Sequence, residues 1–312
     1  MIKKEFYFDS ADGNSKIYAV QYVPKDKEVI GILHIAYGMA EHMGRYEAFA
    51  EVMVQKGFVV TGHDYLGHGK TLKENDVPGY FCDKEPATVV LEDVHTLYRL
   101  TREEYPRVPY VLLGHSMGSF IVRNYMSLYG QELSAVILLG TAMQGKGLIA
   151  FGKTLNCILK AMFGSKHASK LLNYLSFGSN INHFKPARTP SDWLTRDEQI
   201  IDQYNADALC GFLFTSNGFD GLFEWISNMN RVEVMQKIPK NLPILIMAGK
   251  MDPVGSFGKD PEKLYELMKK QGLENVHCQL YDDARHELLN EVNRKDVIKD
   301  MFEWLCKNLE IS

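Results

Sequence analysis

The 312-residue sequence predicts an α/β fold: a mostly parallel central sheet with helices on both faces and an inserted, mainly helical lid. Three observations lead there. Apolar runs of strand length alternate with segments of helical period, the pattern of a parallel sheet covered on both faces. One interval breaks the alternation, since roughly a hundred residues separate two strands between 140 and about 239, where a plain crossover needs about a dozen. The run YVLLGHSMGSF, residues 110–120, ends an apolar strand in a serine held between glycines.

In chain order, EFYF and KIYAVQYV flank the turn-rich DSADGNS and read as an opening hairpin. The further strands are VIGILHI, GFVVTGHD, YVLLGHS, SAVILLG, LPILIMAG and VHCQLY. Helical period marks YEAFAEVMVQKG, ATVVLEDVHTLYRLTREE and PEKLYELMKKQG, and KDVIKDMFEWLCKNL closes the chain as a final helix. The long interval holds LIAFGKTLNCILKAMFG, TPSDWLTRDEQIIDQYN and GLFEWISNMN; the second of these opens its helix near Pro190 and Ser191 or Asp192. Residues 1–140 and 240–312 are therefore expected to form the core and 141–239 the lid.

Composition bounds the function. With 46% hydrophobic and 24% charged residues and a mean hydropathy of −0.20, the chain reads as an ordinary globular protein. Lys+Arg 35 against Asp+Glu 39 leaves a net charge of −4 without a basic stripe, which argues against a nucleic-acid partner and for a small molecule. The opening MIKKEFYFDSADGNSKIYAV is too polar for a signal peptide, so a cytoplasmic location is expected. Cys82, Cys157, Cys210, Cys278 and Cys306 form no CxxC or paired spacing, so they read as buried thiols rather than a zinc site or disulfide framework.

A serine hydroxyl is a poor nucleophile unless a base lies within hydrogen-bond reach and donors await the developing oxyanion. Gly114-His115-Ser116-Met117-Gly118, with a strand before and a helical face after, fits a nucleophile elbow; the alternative is a glycine-bounded turn whose serine caps the helix. On such a sheet the acid and base follow the serine, each after a later strand. Asp252 in LPILIMAGKMDPVG and His286 in VHCQLYDDARHELLNE occupy those places. Asp220 falls in the lid, and Asp260 in Asp260-Pro261-Glu262 reads as a helix N-cap. His115 adjoins the serine on a tight turn and reads as a packing residue or the partner in a local hydrogen bond. His42, His63 and His68 match no zinc spacing and read as structural, with His42 near the site entrance.

At this point the chain resembles α/β-hydrolases of the monoacylglycerol lipase and lysophospholipase type over nearly its whole length. The family's His-Gly-x-x-Glu-His-x-x-Arg-Tyr is matched by Tyr37-Gly38-Met39-Ala40-Glu41-His42-Met43-Gly44-Arg45-Tyr46, and its Asp-x-x-Gly-His-Gly by Asp64-Tyr65-Leu66-Gly67-His68-Gly69. The resemblance implies an ester hydrolase with Ser116 as nucleophile, His286 as base, Asp252 as orienting acid and the amides of Met39 and Met117 as oxyanion donors, with no metal and no organic cofactor. Tyr37 departs from the family's histidine and leaves open how the oxyanion loop is braced.

Monoacylglycerols are the expected substrates, with lysophospholipids and small esters as alternatives; acyl transfer and non-catalytic binding are the rival classes. Tyr37, His42, Leu155 and Leu159 are the candidate substrate contacts. Leu155, Ile158, Leu159, Met162 and Phe163 form an apolar helical face, read either as core or as a surface for an acyl chain or peripheral membrane contact. Lys185, Arg188 and Arg196 are lid cations in reach of a phosphate if they are not merely solvated.

Overall fold

A computed structural model describes residues 1–311. Eight strands form one sheet: β1 (Ile2–Asp9), β2 (Lys16–Val23), β3 (Gly31–Ala36), β4 (Phe58–His63), β5 (Tyr110–His115), β6 (Ala135–Leu139), β7 (Ile244–Gly249) and β8 (Val276–Tyr281). Their order is β1-β2-β4-β3-β5-β6-β7-β8. The opening hairpin pairs antiparallel and β2 pairs antiparallel with β4; every other neighbour is parallel. Leu33 lies opposite both Val60 and Val111, and Ile137 opposite both Leu113 and Leu245. Strands β3 to β7 are buried along their whole length, as expected where helices cover both faces.

The helices of the core are α1 (Glu47–Gln55), α2 (Pro86–Glu104) and α3 (Met117–Tyr129). Between the neighbouring strands β6 and β7 come α4 (Lys146–Phe163), α5 (Lys170–Asn173), α6 (Glu198–Ala206), α7 (Ser216–Met229) and α8 (Val232–Met235). The chain closes with α9 (Lys259–Lys270) and α10 (Arg294–Leu309). The interval between β6 and β7 is thus helical, with a π-helical turn at Tyr174–Gly178. Among the described residues no helix is long and apolar enough to cross a membrane.

Three local expectations are corrected. TPSDW does not open a helix: the Asp192 carboxylate turns back to the amides of Arg188 and Thr189, and the helix starts at Glu198 with Asp197 as N-cap. Asp260 is not a cap either, because Gly258 holds that place and Asp260 lies inside α9, accepting from the Met143 amide (3.1 Å) and the Ser256 hydroxyl (3.0 Å). Of the five thiols only Cys82 is buried, and Cys157 faces solvent. The apolar face of α4 also divides. Leu155 and Leu159 pack against the core, while Leu148, Phe151, Ile158, Met162 and Phe163 are each more than 50% exposed.

The helix after the serine seats directly on the end of β3. A Cβ at Gly118 would stand 1.9 Å from the Ala36 carbonyl oxygen, and one at Gly114 would stand 2.6 Å from the Gly118 carbonyl oxygen. No side chain fits at either place. Behind the sheet end lie three fully buried imidazoles, His34, His63 and His68. Burial pushes His63 down to about 3 and His68 to about 4, and lowers His34 as well. Neither ring nitrogen of His63 has a partner, so nothing offsets the cost of charging it. The His68 ring lies between Phe81, stacked at 5.7 Å, and the edges of Phe212 and Phe214 from the segment before α7.

Two outcomes follow. Gly118→Ala forces the helix off β3, so urea unfolding should show a loss of about 3 kcal/mol or more, beyond the range for ordinary overpacking. The histidines, neutral when folded and titrating at about 6.5 when unfolded, contribute stability that is present above pH 6.5 and lost below it. Between pH 8 and pH 5 His63 alone should account for about 2 kcal/mol; the stability of His63→Phe should fall less steeply over that interval than that of the wild type.

Candidate functional site

Ser116 sits between β5 and α3 with φ 51° and ψ −119°, a positive-φ conformation that an L-residue holds only when its surroundings impose it. They do so here: the Ser116 amide donates to the Leu139 carbonyl at the end of β6 (2.9 Å), and the Ser116 carbonyl accepts from both the amide and the hydroxyl of Ser119. A strand-to-helix turn of this kind lifts the side chain above the sheet.

Asp252 and His286, separated by 34 positions, meet at 2.9 Å through Oδ2 and Nδ1. Asp252 follows β7 and is fully buried; its other oxygen accepts the Val254 amide (2.9 Å), and its carbonyl accepts from Phe257 (2.8 Å). His286 follows β8. The two loops touch backbone to backbone, since a Cβ at Gly249 would lie 2.0 Å from the Ala284 carbonyl oxygen. A carboxylate can only accept, so Nδ1 of His286 carries the proton and Nε2 is the basic nitrogen. Burial alone would lower the pKa of His286, but the Asp252 charge and hydrogen bond outweigh it and raise the group above its ordinary value. Ser116 and His286 line one cavity.

The loop after β3 supplies donors. The amide of Met117 opens α3 and has no acceptor within the helix, and the amide of Met39 has none among the described residues. The preceding Gly38 amide is held by Glu41 Oε1 at 2.6 Å. Glu41 also accepts from Tyr46 (3.0 Å) and Arg45 (2.6 Å), and Arg45 reaches on to both oxygens of Glu287 at 2.8 and 2.7 Å. Burial would raise both carboxyls, but the Arg45 guanidinium holds them below their usual range. His115, beside the serine, meets the Tyr46 hydroxyl through Nδ1 at 3.0 Å, and its ring lies 5.0 Å from that of His286.

Tyr37 is fully buried and lines neither cavity at Ser116. Its hydroxyl accepts the Tyr65 amide (2.9 Å), and the Tyr65 hydroxyl donates to the Tyr37 carbonyl (3.2 Å). The length of the phenol thus ties the loop after β3 to the Asp64-Tyr65-Leu66-Gly67-His68-Gly69 segment. His42 also lies outside both cavities, because Nε2 pairs with Asp207 Oδ2 at 2.9 Å while Nδ1 accepts the Gly44 amide at 3.2 Å. Asp207 and Cys210 each place a ligand atom within 4.8 Å of His42. With Nδ1 already an acceptor, Nε2 holds the proton it gives Asp207, and the group is a hydrogen-bonded clasp rather than a metal donor set.

Two cavities meet at Ser116, Met39 and Phe177. One of about 400 Å³ is apolar, lined by Phe120, Ile149, Leu155, Leu172, Leu222 and Val254. The other, about 380 Å³, carries His286, Glu41, Arg45, Trp193, Tyr204 and Lys170. Leu155 therefore reaches the site, whereas Leu159 lines neither cavity. Arg188 pairs with Asp202 (2.6 Å) and Arg196 with Glu291 (2.9 Å), so neither is a free cation. Sequence reading missed Trp193, whose ring lies 5.2 Å from His286, and Glu287, whose only signal was its place beside the histidine.

Comparison with known proteins gives the family. Residues 27–293 match the Hydrolase_4 family, described as serine aminopeptidase, S33. The chain is 26% identical over 310 residues to a monoacylglycerol lipase of Mycolicibacterium smegmatis, with 98% of each chain covered. It is 25% identical over 284 residues to a monoglyceride lipase of Rattus norvegicus, covering 90% of this chain and 84% of the relative. Among solved structures, a highly thermostable carboxyl esterase from Bacillus coagulans in complex with glycerol superposes with a TM-score of 0.90 at 28% identity, covering 99% of both chains. The family match runs from ahead of β3 to beyond the His286 loop and so takes in every part of the site: the chain belongs to the Hydrolase_4 family and is a serine hydrolase.

Proposed function

We propose that this chain hydrolyses monoacylglycerols to fatty acid and glycerol through an acyl-enzyme on Ser116. The observation that carries the reading is the meeting of two cavities at that serine, one with no charged side chain and the other, also largely apolar, with Glu41, Arg45, Lys170 and Glu287 on its wall, which suits an ester with a chain on one side and a small polyol on the other. The relatives named as monoacylglycerol and monoglyceride lipases agree with it.

His286 takes the Ser116 proton as the hydroxyl attacks the ester carbonyl, and Asp252 holds the imidazole tautomer and stabilises its cation. The oxyanion forms against the Met39 and Met117 amides; losing one such donor costs about 3 kcal/mol in the transition state. The alcohol leaves with the proton from His286, and water then releases the acid by the same route. Residues 141–239 act as the lid over this chemistry. The exposed apolar side chains of α4, together with Leu171, Tyr174 and Leu175, form the surface that would meet lipid.

Lys170 favours a second reading. It lines the cavity that holds Glu41, Arg45 and Glu287 and has no ion-pair partner among the described residues, which suits the phosphate of a lysophospholipid.

A matched panel of monoacylglycerols, lysophosphatidylcholines and p-nitrophenyl esters separates these readings. Ser116→Ala should lose about 10⁴- to 10⁶-fold in rate on whichever class is turned over. Equal inertness of both proteins across the panel would sink the ester-hydrolase reading. Leu155→Trp fills the apolar cavity, so kcat/KM for long-chain esters should fall about tenfold, the scale of overpacking by 1–3 kcal/mol, while acetyl esters change little. A uniform loss at all chain lengths would place the acyl chain elsewhere.

A further inference from the structure

The ester chemistry assigned to Ser116, Asp252 and His286 leaves unexplained why three charges are buried beside it. Glu41 and Glu287 have side chains only 3% and 5% exposed, and Arg45 between them is 10% exposed. Buried ion pairs of this kind are often no more stabilising than apolar packing of the same volume, so stability alone does not account for them. Their placement does. Glu41 holds the Gly38 amide at 2.6 Å, one residue before the Met39 amide, while Glu287 directly follows His286. Arg45 grips both, with a two-pronged contact to Glu287 whose planar fork fixes orientation as well as distance.

The charge balance matters too. Two carboxylates and one guanidinium carry a net charge of −1, with the His115 ring the further group on Glu41 (Nδ1 to Oε1, 3.3 Å), and the cluster adjoins an imidazole that becomes a cation each time it takes a proton. The other groups facing that ring are Asp252 from the loop after β7, His115 from β5 and Trp193 from the segment before α6.

We propose that Glu41, Arg45 and Glu287 form a positioning device that couples the oxyanion loop to the loop of the base: Glu41 sets the Gly38–Met39 peptide, and Glu287 with the surplus charge supports the imidazolium of His286. The inference rests on the ester-hydrolase reading above. None of the three residues touches the reacting atoms; each acts through a neighbour.

The test is the pH dependence of kcat/KM on p-nitrophenyl butyrate for wild type, Glu287→Gln and Arg45→Lys, with fluorophosphonate labelling and thermal unfolding measured alongside. The acid limb of kcat/KM reports the base in the free enzyme. Glu287 and Glu41 both act to raise His286, so Glu287→Gln, which keeps the shape and removes one charge, shifts the acid limb to lower pH. Arg45→Lys keeps the charge and loses the fork, so the limb stays in place and kcat/KM and the labelling rate both fall about tenfold or more, the scale of a misplaced oxyanion donor. An acid limb that Glu287→Gln leaves unmoved, or an Arg45→Lys enzyme within about threefold of wild type, overturns the proposal. Glu287→Gln is isosteric, and a shift in limb position is read from the active fraction alone, so partial unfolding does not mimic it; Arg45→Lys is not isosteric, so its rates are compared per folded enzyme, with the folded fraction taken from the thermal unfolding curve. A wild type inert to both ester and fluorophosphonate would instead overturn the ester-hydrolase reading beneath it.

Discussion

The site depends on a backbone contact with no room for a side chain. Helix α3 lies so close to the end of β3 that a single Cβ at Gly118 would stand 1.9 Å from the Ala36 carbonyl oxygen. That contact fixes two things together. It sets the elbow at Ser116, and it sets where the chain leaves β3 to form the Gly38–Met39 loop. A mirror of it operates at the other side of the site, where Gly249 meets Ala284 and brings the loops of Asp252 and His286 into register. Both are steric limits, so the positions they impose are insensitive to solvent and salt in a way that surface charges are not.

Electrostatics then acts on a frame already built. Asp252 is fully buried yet satisfied at both oxygens, and its effect is to oppose the desolvation that would otherwise keep His286 uncharged. Glu41 and Glu287 remain charged in the same environment because Arg45 meets both. His34 and His63 show the contrary case: buried without a countercharge, they stay neutral and serve as polar aromatic filling.

Much of this was legible in the sequence where the signal is local. Strand runs, the elbow motif and the polar loops after LPILIMAG and VHCQLY each lie within a dozen residues or so and depend on backbone geometry that particular residue types announce. What was not legible is pairing across the chain. Arg45 meets Glu287 over 242 positions, and His42 meets Asp207 over 165, so no spacing rule links them. TPSDW misled for a related reason: its caps are plausible locally, but Arg285 takes the carbonyls of Asp192 and Thr195 and holds the segment as a loop. The phenol of Tyr37 was legible as a departure, and only the position of the Tyr65 amide explains it.

The chain between β6 and β7 is fastened unevenly. Its later part is stitched to the site: Gly211 to the Ala40 carbonyl, Arg196 to Glu291, and the Glu287 amide to the Leu194 carbonyl. Its earlier part, α4 with the π-helical turn at Tyr174–Gly178, supplies Leu148, Ile149, Phe151, Leu155, Leu175 and Phe177 to one cavity and makes few such ties. The two parts are therefore coupled to the site to different degrees. A shift in the later part is passed to the loops at Ala40 and Glu287, whereas one in α4 reshapes the wall of a cavity without such a tie.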